Sequence, residues 1–442
     1  TTFLLVCRFP CPSVAPVTPE FNTIALVLIV ALLLLWNLDF MATLLNLGSL
    51  KPEVPSEFSD VFDEDKYARS QEYTRSNSRY SIITSAASLT ILLVFWFMGG
   101  FAWLDSWTRS FQWGPLPTGL LYVGALLVGN YLLTLPFTIY DTFVLEERFG
   151  FNKTTPKTFV IDQIKSFFLT AVIGLPLLAA LLLIFLHIDH AWFWAWLTFS
   201  GFVLAITYLA PSLIMPLFNK FEPMEEGELK DAIYAMARDC EFPLTEITVM
   251  DGSKRSAKSN AFFMGFGKKK KIALYDTLVE NHSTEELVAV LAHEIGHFKR
   301  KHIIQRIVAS IIQFGVLFFL LGLIINPGSP FAQELFAAFG IPAQNISPHA
   351  GLIFFGILFS PVSRLLGVVL NAWSRKHEFE ADAYAAEAQQ SSAHLIAALK
   401  KLSADNLSNL TPHQLRVVLD DSHPPVLVRI QALRALPQGT SS

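Results

Sequence analysis

Seven stretches of this 442-residue chain stay apolar long enough to cross a bilayer, and the segments between them are polar. A hydrocarbon core needs about 20 consecutive, mostly apolar residues in helical form. By that measure spans are expected at 21–47, 81–104, 115–138, 167–187, 191–214, 303–326 and 350–373. Residues 1–20 read as a poorly ordered, proline-rich leader, because they lack the basic region and long apolar run of a signal peptide. Between the fifth and sixth spans the pattern changes period. "TEITVMD", "SNAFFMGFG" and "KKKIALYDTL" alternate like short strands, with "FGKK" as a hairpin turn. After them, "STEELVAVLAHEIGHF" carries apolar residues at helical spacing, opened by Ser283 or Thr284 as N-cap and Glu285 or Glu286 in the first turn.

The polar segments then sort by charge. Residues 51–80, 139–166, 215–302 and 374–442 hold nearly all the Lys and Arg, whereas 105–114, 188–190 and 327–349 hold only Arg109. Positive residues are retained on the cytosolic side of short loops. The first set is therefore expected in the cytosol and the amino terminus outside. The resulting division is a leader (1–20), five spans (21–214), a first polar part (215–302), two spans (303–373) and a second polar part (374–442).

Composition agrees. The chain is 52% hydrophobic and 16% charged, against about 25% charged in soluble domains, so much of its surface meets lipid. A net charge of −4 gives no reason to propose a nucleic-acid partner, and Cys7, Cys11 and Cys240 cannot build a disulfide framework.

The candidate chemistry begins at His293, Glu294 and His297, an HExxH run. Residues i and i+4 share a helix face, so both imidazoles can reach one ion about 2.0–2.1 Å from each nitrogen. Glu294 can then face the attacking water and take its proton. A third ligand is offered by Glu378, which shares a predicted helix face with Asp382, an acid suited to orienting a ligand histidine. Spacing alone leaves Glu378 balanced against an ordinary solvated acidic helix. Topology favours the ligand: His297 precedes the sixth span by about six residues and Glu378 follows the seventh by about five, at similar depth. His302 and His377, in "KRKH" and "RKHE", read as parts of a solvated basic face, and Lys268–Lys271 as a solvated or headgroup-facing turn. His282 and His349 have no partner pattern. His423, fixed by Pro424 and Pro425, is open between an oxyanion donor and a structural histidine. The strand around Asn260, Ala261 and Phe262 is open between a plain sheet edge and an edge that takes substrate by strand addition.

These residues resemble the type I CAAX prenyl proteases, seven-span membrane zinc metallopeptidases. The resemblance rests on "EERFGFNKTTPKTFVIDQIK", "PSLIMPLFNKFEPM", "SNAFFMGF", "AHEIGHFK", "SRKHEFEADAYA" and "SHPPVLVRIQAL", and covers nearly all the chain after residue 20. It implies a mainly α membrane fold: seven helices around an enclosed chamber, closed by a cytosolic-side gluzincin-like protease domain of helices and a small β-sheet. It implies one Zn2+ on His293, His297 and Glu378, with Glu294 as base, Asp382 behind a ligand and His423 steadying the transition state. Asn260, Ala261 and Phe262 would line the substrate strand, and Arg429 falls at a matching position. The substrate would be a peptide, prenylated or drawn from damaged membrane proteins. The tail "ALPQGTSS" shows no lysine-based retrieval signal, so a bacterial inner membrane is expected rather than the endoplasmic reticulum. Two other classes compete. A metal transporter would place its ligands near the bilayer midplane, and a dead scaffold would have no use for Glu294.

Overall fold

The computed structural model describes residues 18–264 and 270–436. Most of the leader (with Cys7 and Cys11), the "FGKK" turn and the tail lie outside those residues.

Among the described residues, seven helices are long and apolar enough to cross a membrane. The first, α1 (Thr23–Gly48), is opened by Asn22, whose side chain accepts from Ala25 N–H. α2 (Glu64–Phe97) starts on Asp63 with Glu64 and Asp65 in its first turn, where the helix dipole favours acids. It ends before Gly99 (φ +73°), so residues 100–104 of the expected second span belong instead to a short helix, α3 (Gly100–Ser110). α4 (Pro115–Tyr140) and α5 (Pro156–His187) both begin on a proline, whose missing N–H costs nothing there. α4 runs on into a π-helical turn, Asp141–Glu146. α5 starts eleven residues before the expected span, and α6 (Ala191–Leu209) completes the first five.

The first polar part then forms a four-stranded sheet, ordered β1-β2-β4-β3. β1 (Phe221–Pro223) is antiparallel to β2 (Leu244–Met250), which is parallel to β4 (Lys270–Tyr275); β3 (Ala261–Met264) is an antiparallel edge. α7 (Glu228–Asp239) lies before β2, and α8 (Asp276–Asn281) and α9 (Thr284–Lys299) follow β4. Ser283 caps α9 in a capping box with Glu286, each side chain bonding the other's backbone N–H. Ile233, Ile247, Ile272, Leu274, Leu291 and Ile295 form the core that fixes α9 to the sheet.

At Lys301 (φ +59°) the chain turns left-handed, so α10 (His302–Ile324) leaves in a new direction instead of prolonging α9. On the far side of the membrane part, α11 (Pro330–Ala338) and α3 form a plug. There Trp96, Phe339 and Phe354 stack, and Asp105 pairs with Arg109 (2.6 Å) and with the buried His349 (3.0 Å). His349 therefore has a partner that sequence spacing could not reveal.

The last span is the middle of one 41-residue helix, α12 (Pro348–Ala388), which continues through Glu378 and Asp382. α13 (Ala393–Asp405), α14 (Gln414–Asp420) and α15 (Val426–Ala435) close the domain. Arg364 and Asn371, in the membrane part of α12, both donate to Leu419 O (2.9 and 3.2 Å), and Arg364 also pairs with Asp420 (2.7 Å). They anchor the end of α14 just before His423.

In the apolar stretches of the spans only 6–17% of residues are buried, as expected of helices whose surfaces meet lipid. A cavity of about 530 Å3 lined by Tyr73, Asn77, Ser81 and Asp141 enters from the membrane part. It shares Asn46, Asn406, Asn409 and Arg416 with a larger cavity of about 780 Å3 under the sheet and α9. Polar side chains inside a membrane bundle are tolerated where they face such a volume.

Candidate active site

Two helices meet at the head of the larger cavity. Gly296 of α9 lies so close to α12 that a Cβ there would stand 3.0 Å from Ala381 Cα and O. A larger residue would have to push that backbone back, and the close approach brings the HExxH face opposite Glu378. His293 Nε2 and His297 Nε2 are 3.2 Å apart, His297 Nε2 is 3.3 Å from Glu378 Oε1, and His293 Nε2 is 3.5 Å from Glu378 Oε2. Among the described residues these three form a group able to hold a metal ion.

The group fits a tetrahedral ion. Two ligands each 2.0–2.1 Å from such an ion lie roughly 3.3–3.4 Å apart, close to the separations observed. Glu378 Oε2 is buried and accepts no hydrogen bond. Its nearest donors, Arg429 Nη1 at 3.4 Å and His293 Nε2 at 3.5 Å, leave room for a closer cation on that oxygen.

The surroundings fix the ring orientations. His293 Nδ1 is 2.8 Å from Asp382 Oδ1, so its N–H donates there and Nε2 is free to ligate. Burial disfavours the His293 imidazolium, but the Asp382 and Glu378 carboxylates beside it outweigh that and lift the metal-free ring to about 9. Binding an ion must displace that proton. Arg429 grips Asp382 with Nε (2.8 Å) and Nη2 (2.6 Å), and its Nη1 is 3.4 Å from Glu378 Oε2. Arg429 is buried behind His293 and Glu378 on α15 and not on β3, although it shares the cavity wall.

His302 and His377 depart from the expected solvated face: both are buried, and their rings stack 3.8 Å apart. His302 Nδ1 is 3.0 Å from His297 Nδ1, and its Nε2 is 2.9 Å from Glu380 Oε2. If His297 ligates through Nε2, its Nδ1–H donates to His302 Nδ1, and His302 then donates from Nε2 to Glu380. The whole chain of tautomers is determined. The signal for this in the sequence is only that Glu380, like Glu378, follows the seventh span closely. Lys270 is a further correction: it is buried, with its Nζ 4.9 Å from the Phe298 ring centre, while Lys271 pairs with Glu246 at 2.5 Å. His282, also buried, pairs with Glu286 at 3.0 Å.

The remaining residues line the same cavity. Glu294 faces it, and burial raises its carboxyl above the ordinary glutamate range. His423 also lines it, with a largely exposed ring whose Nε2 is 3.4 Å from Glu378 Oε1, and partial desolvation shifts its pKa below the ordinary histidine value. Asn260 and Ala261 line it at the start of β3, with Phe262 next along the strand. Tyr275 N–H donates to Asn260 O (3.0 Å), so by antiparallel alternation the backbones of Ala261 and Phe263 face the open edge. There the Ala261 N–H is taken by Asn260 Oδ1 at 2.8 Å.

This fold and this site define a multi-pass membrane metallopeptidase of the HExxH type. Residues 44–220 match the model of the CAAX prenyl protease N-terminal region with five membrane helices, and residues 223–436 match that of peptidase family M48. The chain belongs to that family. It is 35% identical to the mouse CAAX prenyl protease 1 homolog over 432 residues, covering 86% of this chain and 88% of the relative. It is 35% identical to CAAX prenyl protease 1 of Saccharomyces cerevisiae over 402 residues, with the same two coverages. The crystal structure of S. mikatae Ste24p superposes with a TM-score of 0.85 at 32% identity, covering 94% of this chain and 99% of that one.

Proposed function

We propose that His293, His297 and Glu378 hold one Zn2+ and that the enzyme cleaves peptides carrying a prenylated CAAX end. The observation that carries the metal assignment is the convergence of ligand atoms from buried His293 and Glu378 and half-buried His297, within 4.8 Å of one another, at the head of a cavity. Zn2+, when bound, would supply Lewis acidity toward water and the scissile carbonyl. Glu294 takes the proton of the attacking water and hands it to the leaving amine, and its raised affinity for protons suits both steps. His423, neutral and rigidly placed before Pro424, donates to the developing oxyanion. Asp382 and Arg429 hold the ligands in place. The peptide lies extended along Asn260, Ala261 and Phe262 as an added strand.

The prenylated substrate class is supported by what the relatives are called, and by a cavity that continues into the membrane part, where a lipid-modified end is accessible. A cytosolic-side site is supported by the Lys and Arg distribution among the loops.

The test is hydrolysis of a quenched fluorescent peptide, with and without a farnesylated CAAX end, by detergent-purified protein. Glu294→Gln should keep zinc and lose about 10²–10⁴ in rate, and Glu378→Ala should lose zinc. Equal cleavage of both peptides would remove the prenyl requirement. Failure of a zinc-loaded wild type to cut either would remove the proposal.

A further inference from the structure

The run "EERFGFNK" takes no part in the chemistry above, yet it is tied to the protease domain at one place. Asn152 forms an antiparallel bridge with Ser256, Lys153 N–H donates to Arg255 O (3.0 Å), and Ala257 N–H donates to Phe151 O (3.0 Å). The membrane part thus supplies a short strand to the loop that leads into β3. Two side-chain locks flank this ladder. Lys258 Nζ donates to Glu146 Oε2 and to Tyr73 OH, both at 2.8 Å, and lies 4.5 Å from the Phe151 ring centre. Arg255 holds Asp162 of α5 through two bonds (2.8 and 3.0 Å) and Asn219 through a third (2.8 Å).

Position gives these contacts a meaning. Lys258 is two residues before Asn260. Glu146 ends the π-helical turn that closes α4, a distortion that costs stability and recurs at functional positions. β3 is the edge strand of the described sheet, hydrogen-bonded there only to β4, so contacts from the loop before it bear on its position. Tyr73, Glu146 and Lys258 come from α2, from the end of α4 and from the protease domain, and meet at one point.

We infer that Lys258, locked by Glu146 and Tyr73, is a positioning residue that sets the register of β3 against the membrane helices. It thereby selects which peptide bond arrives opposite Glu294. The inference rests on β3 being the strand that receives substrate. A peptide entering from the membrane part is measured against α2 and α4, so a strand tied to both of them cuts at a fixed distance from that entry.

The experiment uses full-length zinc-loaded protein in detergent with Lys258→Met, Glu146→Gln and the exchange Lys258→Glu with Glu146→Lys. Products are mapped by mass spectrometry, and KM and kcat are measured separately. The single variants should keep their zinc, raise KM about five-fold with kcat within two-fold, and add cleavage one or two residues from the main site. The exchanged pair should restore the single site. A lowered melting temperature with an unchanged cleavage map and KM, in Glu146→Gln as well as Lys258→Met, would reduce the lock to a structural tie and overturn the inference. A peptide N-methylated at the amides that would pair with β3 separates the two readings. If methylation weakens binding while the variants leave the register alone, only the lock fails. If methylation changes nothing, the strand reading fails and the lock falls with it.

Discussion

Replacing Asp382 by asparagine changes one atom and asks whether the group behind the ligands controls the metal. Asp382 is 2% exposed and accepts three hydrogen bonds, from His293 Nδ1 (2.8 Å) and from Arg429 Nε and Nη2 (2.8 and 2.6 Å). An asparagine offers one acceptor and turns an N–H2 toward a cation. If its oxygen stays on His293 it also keeps Arg429 Nη2, which bonds the same oxygen, while Nε meets the new N–H2 and the guanidinium loses its counter-charge. Arg429 Nη1 is already 3.4 Å from Glu378 Oε2, so the released cation turns to the third ligand and competes with the metal. His293 also loses the negative charge that makes it a strong donor to the ion. Loss of such an orienting carboxylate lowers metal affinity about 10- to 100-fold, or roughly 1.4–2.7 kcal/mol. An uncompensated buried charge costs about 3–5 kcal/mol, and the partial rescue by Glu378 puts the loss of fold stability at the low end of that range. The assay strips the purified protein with a chelator, titrates zinc back against a chromophoric competitor, and checks helicity by far-ultraviolet circular dichroism. A zinc Kd within two-fold of wild type in a helical Asp382→Asn protein would refute the reasoning.

Four further outcomes follow from the same geometry. Gly296→Ala forces α9 and α12 apart at Ala381; it should cost about 1–3 kcal/mol and lower zinc content, read by thermal unfolding and metal analysis. His302→Phe keeps the stack on His377 but removes the acceptor for His297; zinc affinity should fall about ten-fold, measured by the same competition titration. His423→Ala should lower kcat by about 10²–10³ with zinc content unchanged, and a fall confined to KM would reassign it to substrate binding. Removing zinc with a chelator should lower the unfolding temperature, and adding zinc at about 100 times its Kd should restore roughly 2.7 kcal/mol, seen as a concentration-dependent midpoint.

What the sequence made legible was local or periodic. The spans were readable because about 20 apolar residues in a row have few other uses, and the HExxH ligands because i and i+4 share a face. Glu378 was reachable because two spans bring both segments to one depth. What stayed hidden depends on partners far along the chain. His302 stands in the charged run "KRKH" and is buried only because Glu380, 78 residues on, lies beside it. Lys258 and Glu146 are separated by 112 residues, and no local pattern announces their pairing. Gly99 ended the second span early through a left-handed φ, which hydropathy does not register. β1 is three residues long, too short to show alternation.

One feature of the fold bears on how the enzyme tolerates its solvent. α12 is a rod of 41 residues, about 60 Å long, that carries the proposed ligand Glu378 at one end and stands in lipid along the other. Bilayers of different thickness tilt such rods. From Pro361 to Glu378 is about 25 Å of helix, so a tilt of about two degrees would move the carboxylate by nearly 1 Å, beyond the roughly 0.5 Å a catalytic constellation tolerates. The contact at Gly296 and Ala381 clasps α9 to that rod beside the ligands, so the two histidines travel with the glutamate. The coordination sphere is thus carried by the lever as one piece, and the membrane can rock the site without opening it.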